Sequence, residues 1–280
     1  MVTGDQPQLL TRRSANELLE RHGLAPRRSL GQNFLIDPNT VRRIVRLAEI
    51  DASDHVVEIG AGLGSLTLGL AATGARVTAI EVDAGLARAV GEVCATFDNV
   101  EVVVADALAV DWATLLDGPA VVVANLPYNV ATPLVADLLD GQPDLTQLHV
   151  MVQREVAERL VAGPGDDAYG AVSVKVAYWA EARIVGTVSR EVFMPRPNVE
   201  SSMVRVDRRR RPAVEGEPDL LFDVVRTAFG HRRKMLRRSL RGLLTEDQIA
   251  GAGIDPSDRP ETLGLADFAA LAASVKELRR

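Results

Sequence analysis

Asn125-Leu126-Pro127-Tyr128 follows a short run of small and aliphatic residues, Val121 to Ala124, and breaks its pattern abruptly. An amide and a phenol cost free energy when buried without partners, and a proline cannot donate to a sheet ladder. At the tip of a core strand such residues face something other than the core. A sharp turn there presents the side-chain carbonyl of Asn125 and the backbone carbonyl of Leu126 to one point. Pro127 stiffens the turn by fixing its own φ and biasing its neighbour. Tyr128 supplies a flat face. Two convergent acceptors and a ring suit a planar base that carries an exocyclic amine.

Such an amine, N6 of adenine for example, is a poor nucleophile because its lone pair is delocalised into the ring. Acceptors that hold its hydrogens favour a pyramidal nitrogen and turn the pair toward an electrophile. In an in-line displacement on a sulfonium methyl, the same dipoles stabilise the charge that develops on nitrogen. Positioning carries much of the remaining rate, and no strong base is required.

A second constellation lies upstream, in Glu58-Ile59-Gly60-Ala61-Gly62-Leu63-Gly64. Glycines allow a tight turn and let a ligand approach bare backbone at a helix N-terminus. The loop alone suits NAD, FAD or S-adenosylmethionine. Ser65 stands where a dinucleotide fingerprint needs its third glycine, so G-x-G-x-x-G is broken. Glu81, about 20 residues on, is placed to accept both hydroxyls of a ribose. Asp106 ends the next apolar run, and an adenine amino group is its natural donor. Each acid taken singly could be ordinary loop solvation.

These residues need a scaffold that brings strand ends together. His55–Ile59, Arg76–Ile80, Val100–Val104 and Ala120–Ala124 are short, valine-rich and bounded by turn residues. Helical spacing follows, as in Leu63–Ala72 and Ala84–Phe97. Alternating strands and helices predict right-handed βαβ crossovers, an α/β fold and a mostly parallel sheet. Open sheets of this kind bind ligands at their carboxyl edge, where all these candidates fall. Leu148–Gln153, Ala171–Ala180 and Met203–Val206 are further strand candidates. Residues 1–13 read as a frayed tail, 14–207 as the sheet domain and 208–218 as a linker. Residues 219–280 read as a small all-helical domain, with helices over Leu220–Leu244, Glu246–Ala250 and Leu265–Leu278.

The chain has 280 residues, 47% of them hydrophobic, enough for one substantial core and a smaller domain. It has no apolar run of about eighteen residues and no secretory leader, so no membrane partner is expected and a cytoplasmic location is. The single cysteine, Cys94, fits a reducing compartment and a space-filling role. Net charge is −6, but the charges are segregated. Between Asp51 and Asp144 the only lysines or arginines are Arg76 and Arg88, whereas from Arg226 to Arg241 every charged residue is basic. Binding follows the local field rather than the sum, although a charge run can also be a solvated face.

Seven segments together carry a resemblance: GQNFLID (Gly31–Asp37), VVEIGAGLGSLT (Val56–Thr67), IEVD (Ile80–Asp83), ADAL (Ala105–Leu108), NLPYNVATPL (Asn125–Leu134), VFMPRPNVESS (Val192–Ser202) and AFGHRRKMLRRSL (Ala228–Leu240). The chain resembles the ribosomal RNA adenine dimethyltransferases of the small subunit, from about Ser14 to its end. The resemblance implies a Rossmann-like class I methyltransferase sheet with S-adenosylmethionine as cofactor and no metal. It places Asn33, Leu35, Gly60, Gly62, Glu81, Asp106 and Asn125 around the cofactor. It gives Asn125, Leu126, Tyr128 and Phe193 catalytic roles, Phe193 stacking on a flipped adenine opposite Tyr128. The implied reaction is N6-dimethylation of two adjacent adenosines near the 3′ end of 16S ribosomal RNA, within the immature 30S subunit.

The residues themselves bear on parts of this. Pro195 and Pro197 make a rigid extended segment, so an exposed Phe193 has a fixed platform, and base–aromatic stacking is worth about 1–3 kcal/mol. Core filling is the lesser alternative for Phe193. Phe34, Leu35 and Ile36 can be the apolar lead-in to a helix capped by Asp37. Arg232, Arg233, Lys234 and Arg237 are the expected RNA-binding residues, since phosphate contacts dominate affinity for a polyanion. With Arg238 they cover more than one helix face, so not all can touch RNA. Family members often have a small polar residue where this chain has Arg238, which leaves that position unassigned. Arg27 and Arg28 either extend the basic surface or are solvated. No dimer stripe is evident, and a monomer is expected. A large-subunit adenine methyltransferase and a non-catalytic assembly factor are the competing readings. An NAD-dependent dehydrogenase is disfavoured by Ser65.

Overall fold

The computed structural model describes residues 8–27, 31–127 and 130–278, and structural statements refer to these. Tyr128 and Arg28 lie outside them.

Helix α1 (Arg12–His22) is followed by a short strand β1 (Phe34–Leu35) and α2 (Pro38–Ala48). Asp37 caps α2 by accepting from Thr40 N–H at 2.8 Å, with Pro38 at the first turn as the sequence predicts. The alternating portion is β2 (His55–Ile59), α3 (Ser65–Ala71), β3 (Arg76–Glu81), α4 (Ala84–Val93), β4 (Val100–Val104), α5 (Trp112–Leu115), β5 (Ala120–Asn125), α6 (Ala131–Gly141) and β6 (Leu145–Gln153). Then come α7 (Arg154–Val161), α8 (Ala171–Trp179), β7 (Ala180–Val188), β8 (Phe193–Met194) and β9 (Ser201–Arg208). The chain continues with α9 (Pro218–Gly230), α10 (Leu236–Ser239), α11 (Glu246–Gly251) and α12 (Leu265–Leu278).

The main sheet has seven strands in the order β4-β3-β2-β5-β6-β9-β7. The β2–β3, β3–β4, β2–β5 and β5–β6 pairs are parallel, and β6–β9 is antiparallel. Central strands carry valine on both faces, and Val56, Val57, Val77, Val122 and Val123 are all fully buried. Sequence order runs outward from β2 to β4 and resumes with β5 on the other side of β2. That reversal opens a crevice at the carboxyl ends of β2 and β5. A separate two-stranded ribbon pairs β1 with β8, Phe34 opposite Met194 and Leu35 opposite Phe193.

Compact grouping divides the chain along other lines than the expected 14–207, 208–218 and 219–280. One unit takes the chain up to Ala157 plus Arg183–Asp207, and the other takes Glu158–Ala182 with everything from Arg208. The second unit has its own core, where Tyr178 packs edge-on against Phe222 at 5.3 Å and Phe268 is fully buried. Its loop after Arg208 is tied down by Arg209 N–H to Trp179 carbonyl and Ala213 N–H to Tyr178 carbonyl, so the expected linker is partly anchored.

Three local expectations are corrected. Of the expected strand Ala171–Ala180, Ala171–Trp179 is helix and only Ala180 belongs to a strand, because a helix buried on several sides shows an apolar run without a readable period. Leu220–Leu244 is not continuous: α9 ends at Gly230, and turns precede the single turn of α10. The expected tail to Arg13 is ordered from Leu9 onward. Leu9 and Leu10 are buried, and Thr11 and Ser14 form a reciprocal cap on α1. Among the described residues no helix is long and apolar enough to cross a membrane.

Candidate active site

The glycine loop joins β2 to α3. Gly60 N–H and Ala61 N–H both donate to the Ile80 carbonyl, at 2.8 and 3.3 Å, so the turn is sewn to the end of β3. Gly62 has φ +60°, and a Cβ there would meet the Phe34 ring at 3.0 Å. Glycine is required twice over, by conformation and by the close approach of β1.

Glu81 ends β3 and supports that loop. One carboxylate oxygen accepts from Gly62 N–H at 2.8 Å and the other from Asp83 N–H at 3.0 Å. Burial raises its pKa, against the lowering effect of these backbone donors. Each oxygen keeps a further lone pair for ribose hydroxyls. Asp106, after β4, is exposed and turns one oxygen onto Leu108 N–H at 3.0 Å. Its other oxygen has no donor among the described residues.

Asn125 is the last residue of β5. Its Nδ2 donates to the Asn33 carbonyl at 3.0 Å. Only the NH₂ side of an amide can face a carbonyl oxygen, so Oδ1 is turned the other way. No donor among the described residues reaches Oδ1. The ladder then stops: Leu126 N–H donates to Met151 carbonyl at 3.1 Å, while its own carbonyl receives no donor among the described residues. Leu126's side chain is buried, which anchors the turn. Among the described residues, neither of the two acceptors read from the sequence has a donor.

Asn33 and Leu35 belong to the segment that closes this side of the crevice. Asn33 Nδ2 folds back onto the Gly31 carbonyl at 2.9 Å, and the Leu35 carbonyl accepts from Ser65 Oγ at 2.5 Å. A cavity of about 280 Å³ lies between this segment and the strand ends, and all seven expected cofactor residues line it. Bare backbone at a helix start, carboxylates at two successive strand ends and apolar walls from Phe34 and Leu86 fit S-adenosylmethionine. Among the described residues no group of His, Cys, Asp and Glu could hold a metal ion.

Phe193 departs from expectation. Its ring is 0% exposed, within the core cluster that holds Phe34, Leu35 and Leu66, so it is no open platform in this state. The pairing of β8 with β1 puts it there, a long-range partner that its proline-rich context does not reveal.

Two features were missed in the sequence. Glu58, inside β2, is buried at 2% exposure and accepts from Thr67 Oγ1 at 2.5 Å. Burial pushes its pKa up to about 8, well above the usual carboxylate range, which favours the protonated form beneath the loop. An acid in an otherwise valine-rich strand was the available signal. Ser65 was noted only as a missing glycine, although its hydroxyl reaches the Leu35 carbonyl.

In the helical unit the expected RNA-binding residues separate. Arg232 pairs with Glu261 at 3.0 Å and donates to the Asp167 carbonyl at 2.8 Å, so it is engaged within the unit. Arg233 and Lys234 are exposed in the turns after α9, with no ion pair among the described residues. Arg237 lies 3.6 Å from Glu246 and lines a groove of about 610 Å³ with Arg238 and Arg241. Arg27 is paired with Asp83 at 3.2 Å rather than adding to a free basic surface.

Residues 23–277 match the ribosomal RNA adenine dimethylase family. The chain belongs to that family. It is 48% identical over 276 residues to "Ribosomal RNA small subunit methyltransferase A" of Thermobifida fusca (strain YX), covering 95% of this chain and 96% of the relative. The protein of that name from Moorella thermoacetica is 46% identical, with 92% and 96% covered. Among solved structures it is similar to a dimethyladenosine transferase from Plasmodium falciparum, with TM-score 0.70, 26% identity and 85% and 95% covered. It is also similar to the 23S rRNA methyltransferase ErmE, with TM-score 0.68, 26% identity and 87% and 100% covered. The fold of this family member is the expected methyltransferase sheet, followed by helices.

Proposed function

We propose that this enzyme methylates N6 of two adjacent adenosines near the 3′ end of small-subunit ribosomal RNA, twice each, acting as a cytoplasmic monomer on immature 30S subunits. It is a ribosomal RNA adenine dimethyltransferase dependent on S-adenosylmethionine. The observation that carries the assignment of roles is the orientation of the Asn125 amide, whose Nδ2 is held by Asn33 while Oδ1 is left to accept.

Bound S-adenosylmethionine supplies an electrophilic methyl on a sulfonium centre. Glu81 and Asp106 hold the ribose and the adenine amino group, and the glycine loop offers its backbone. Asn125 Oδ1 and the Leu126 carbonyl accept from the two hydrogens of the target amine and direct its lone pair inward. Positive charge that builds on the nitrogen is stabilised by the same two dipoles, which need no rearrangement. The ammonium product loses its proton readily to water. Tyr128 and Phe193 stack on the base, Phe193 only once an incoming base has uncovered its ring. The base leaves its own stack first, at a cost of a few kcal/mol. Arg233, Lys234 and Arg237 contact phosphate, and Arg232 shapes the surface that presents them.

The likeness to ErmE keeps the large subunit as the competing substrate. The small-subunit names of relatives near half identity favour the small one. Primer extension on both RNAs after incubation of immature 30S and 50S particles with cofactor tests this. Stops at two neighbouring adenosines of the small-subunit RNA are expected. Stops confined to the large-subunit RNA would overturn the proposal.

A further inference from the structure

Ser65 is buried at 4% exposure in the first turn of α3. A serine at a helix start ordinarily bonds a nearby backbone group of its own helix. This one reaches across to the Leu35 carbonyl at 2.5 Å, 30 positions away. Ile36 N–H donates to the Val192 carbonyl at 2.9 Å, so Phe34 and Ile36 address β8 and the carbonyls of Asn33 and Leu35 point to the opposite edge. That edge is gripped twice within about 7 Å, once by Ser65 and once by Asn125 Nδ2. Between the grips the Phe34 ring fills the notch at Gly62.

The last torsion of an asparagine is soft, so the position of its hydrogen-bond partner sets the plane of the amide. For Asn125 that partner is a backbone atom of the very segment that Ser65 anchors. We propose that Ser65 is a positioning residue for methyl transfer. Its hydroxyl fixes residues 33–35 against the glycine loop, and the Asn33 carbonyl then fixes the direction of Asn125 Oδ1. This rests on the proposed role of Asn125 in holding the target amine.

The test uses the full chain and the variants Ser65→Ala and Ser65→Thr, alone and combined with Asn125→Ala. Threonine keeps the hydroxyl and adds one methyl at a residue that lines the cavity. Three quantities are measured: affinity for S-adenosylhomocysteine by calorimetry, the NMR resonances of the Asn125 side-chain amide, and the single-turnover rate on 30S particles. Ser65→Ala should shift the amide resonances, lower the rate about tenfold and change cofactor affinity by less than about threefold. Ser65→Thr should restore rate and resonances. In the Asn125→Ala background, Ser65→Ala should cost less than about a further twofold, because the two act through one group. Equal losses in both backgrounds, unshifted amide resonances, or a loss confined to cofactor affinity would overturn the proposal. Near-normal turnover of Asn125→Ala alone would instead remove the underlying reading of Asn125, and the NMR result would still report whether Ser65 orients the amide.

Discussion

Asn125 Nδ2 donates to the main-chain carbonyl of Asn33 at 3.0 Å, across 92 positions of sequence. The tip of β5 and the segment over the crevice are thereby joined through the amide proposed to hold the reacting nitrogen. The bond turns Nδ2 away from the proposed amine site and ties segment 31–35 to the strand tip.

Replacing Asn125 with alanine removes one of the two acceptors proposed to face developing charge. Loss of a preorganised dipole of this kind costs about 10²–10³-fold in rate. Asn125→Ala should therefore bind S-adenosylhomocysteine within about threefold of wild type and transfer methyl groups at least a hundredfold more slowly. Calorimetry with single-turnover labelling measures both. Asn125→Asp should be no better, since a carboxylate has no N–H for the Asn33 carbonyl and repels it.

Glu58 and His149 give stability opposite slopes with pH. Burial raises the Glu58 pKa to about 8 from its ordinary 4.5, so the folded state holds a proton that the unfolded chain releases. Its contribution is full below pH 4.5 and is lost as pH rises toward 8. Burial, then Arg205, lowers the His149 pKa to about 4 from 6.5, so its contribution is present above pH 6.5 and lost as pH falls toward 4. Urea titrations between pH 4 and 9 should show Glu58→Gln flattening the alkaline decline, by an amount on the order of a few kcal/mol. An unchanged alkaline limb would mean that Glu58 is already ionised in the folded protein.

Core packing and the proposed base stacking of Phe193 separate by substitution. Phe193→Ala should cost about 3–5 kcal/mol of stability, because the ring is wholly buried. Phe193→Leu should keep most of that packing yet lower the methylation rate about tenfold, as expected for a lost base stack. A folded Phe193→Leu with wild-type kcat would confine the ring to the core.

Arg238 and Arg241 line the groove beside Arg237 and have no ion pair among the described residues. Each phosphate contact contributes close to one unit to the slope of log K against log salt. Arg238→Ser with Arg241→Ser should reduce that slope for 30S binding by about two and leave cofactor affinity unchanged. Arg12→Ser with Arg88→Ser removes the same charge elsewhere. An equal effect from that pair would show bulk attraction in place of a groove contact.

Much of the architecture was legible because periodicity is a local property. The valine-rich runs marked β2 to β5, and turn residues marked their ends. That the residues expected around the cofactor line one cavity was legible for a related reason: in a parallel sheet every strand end falls on one edge, so Gly60, Glu81, Asp106 and Asn125 had to converge. Ala171–Trp179 misled because it is apolar on several faces, which erases the helical period. The basic run misled because charge type says nothing about partners. Arg232 turns out to be paired with Glu261, far along the chain, while Arg238 faces a groove.

From its residues alone this protein's sheet, its ligand edge and the chemical type of its strand-tip turn were determined, since each depends on neighbours within one element or one crossover. Tertiary structure decided the rest: which end of the Asn125 amide faces the cavity, that Ser65 grips the segment over it, that Phe193 is covered and that burial raises the pKa of Glu58. Those outcomes depend on groups distant in sequence and on burial. Hydrogen-bond direction and dielectric environment exist only once the chain has closed on itself.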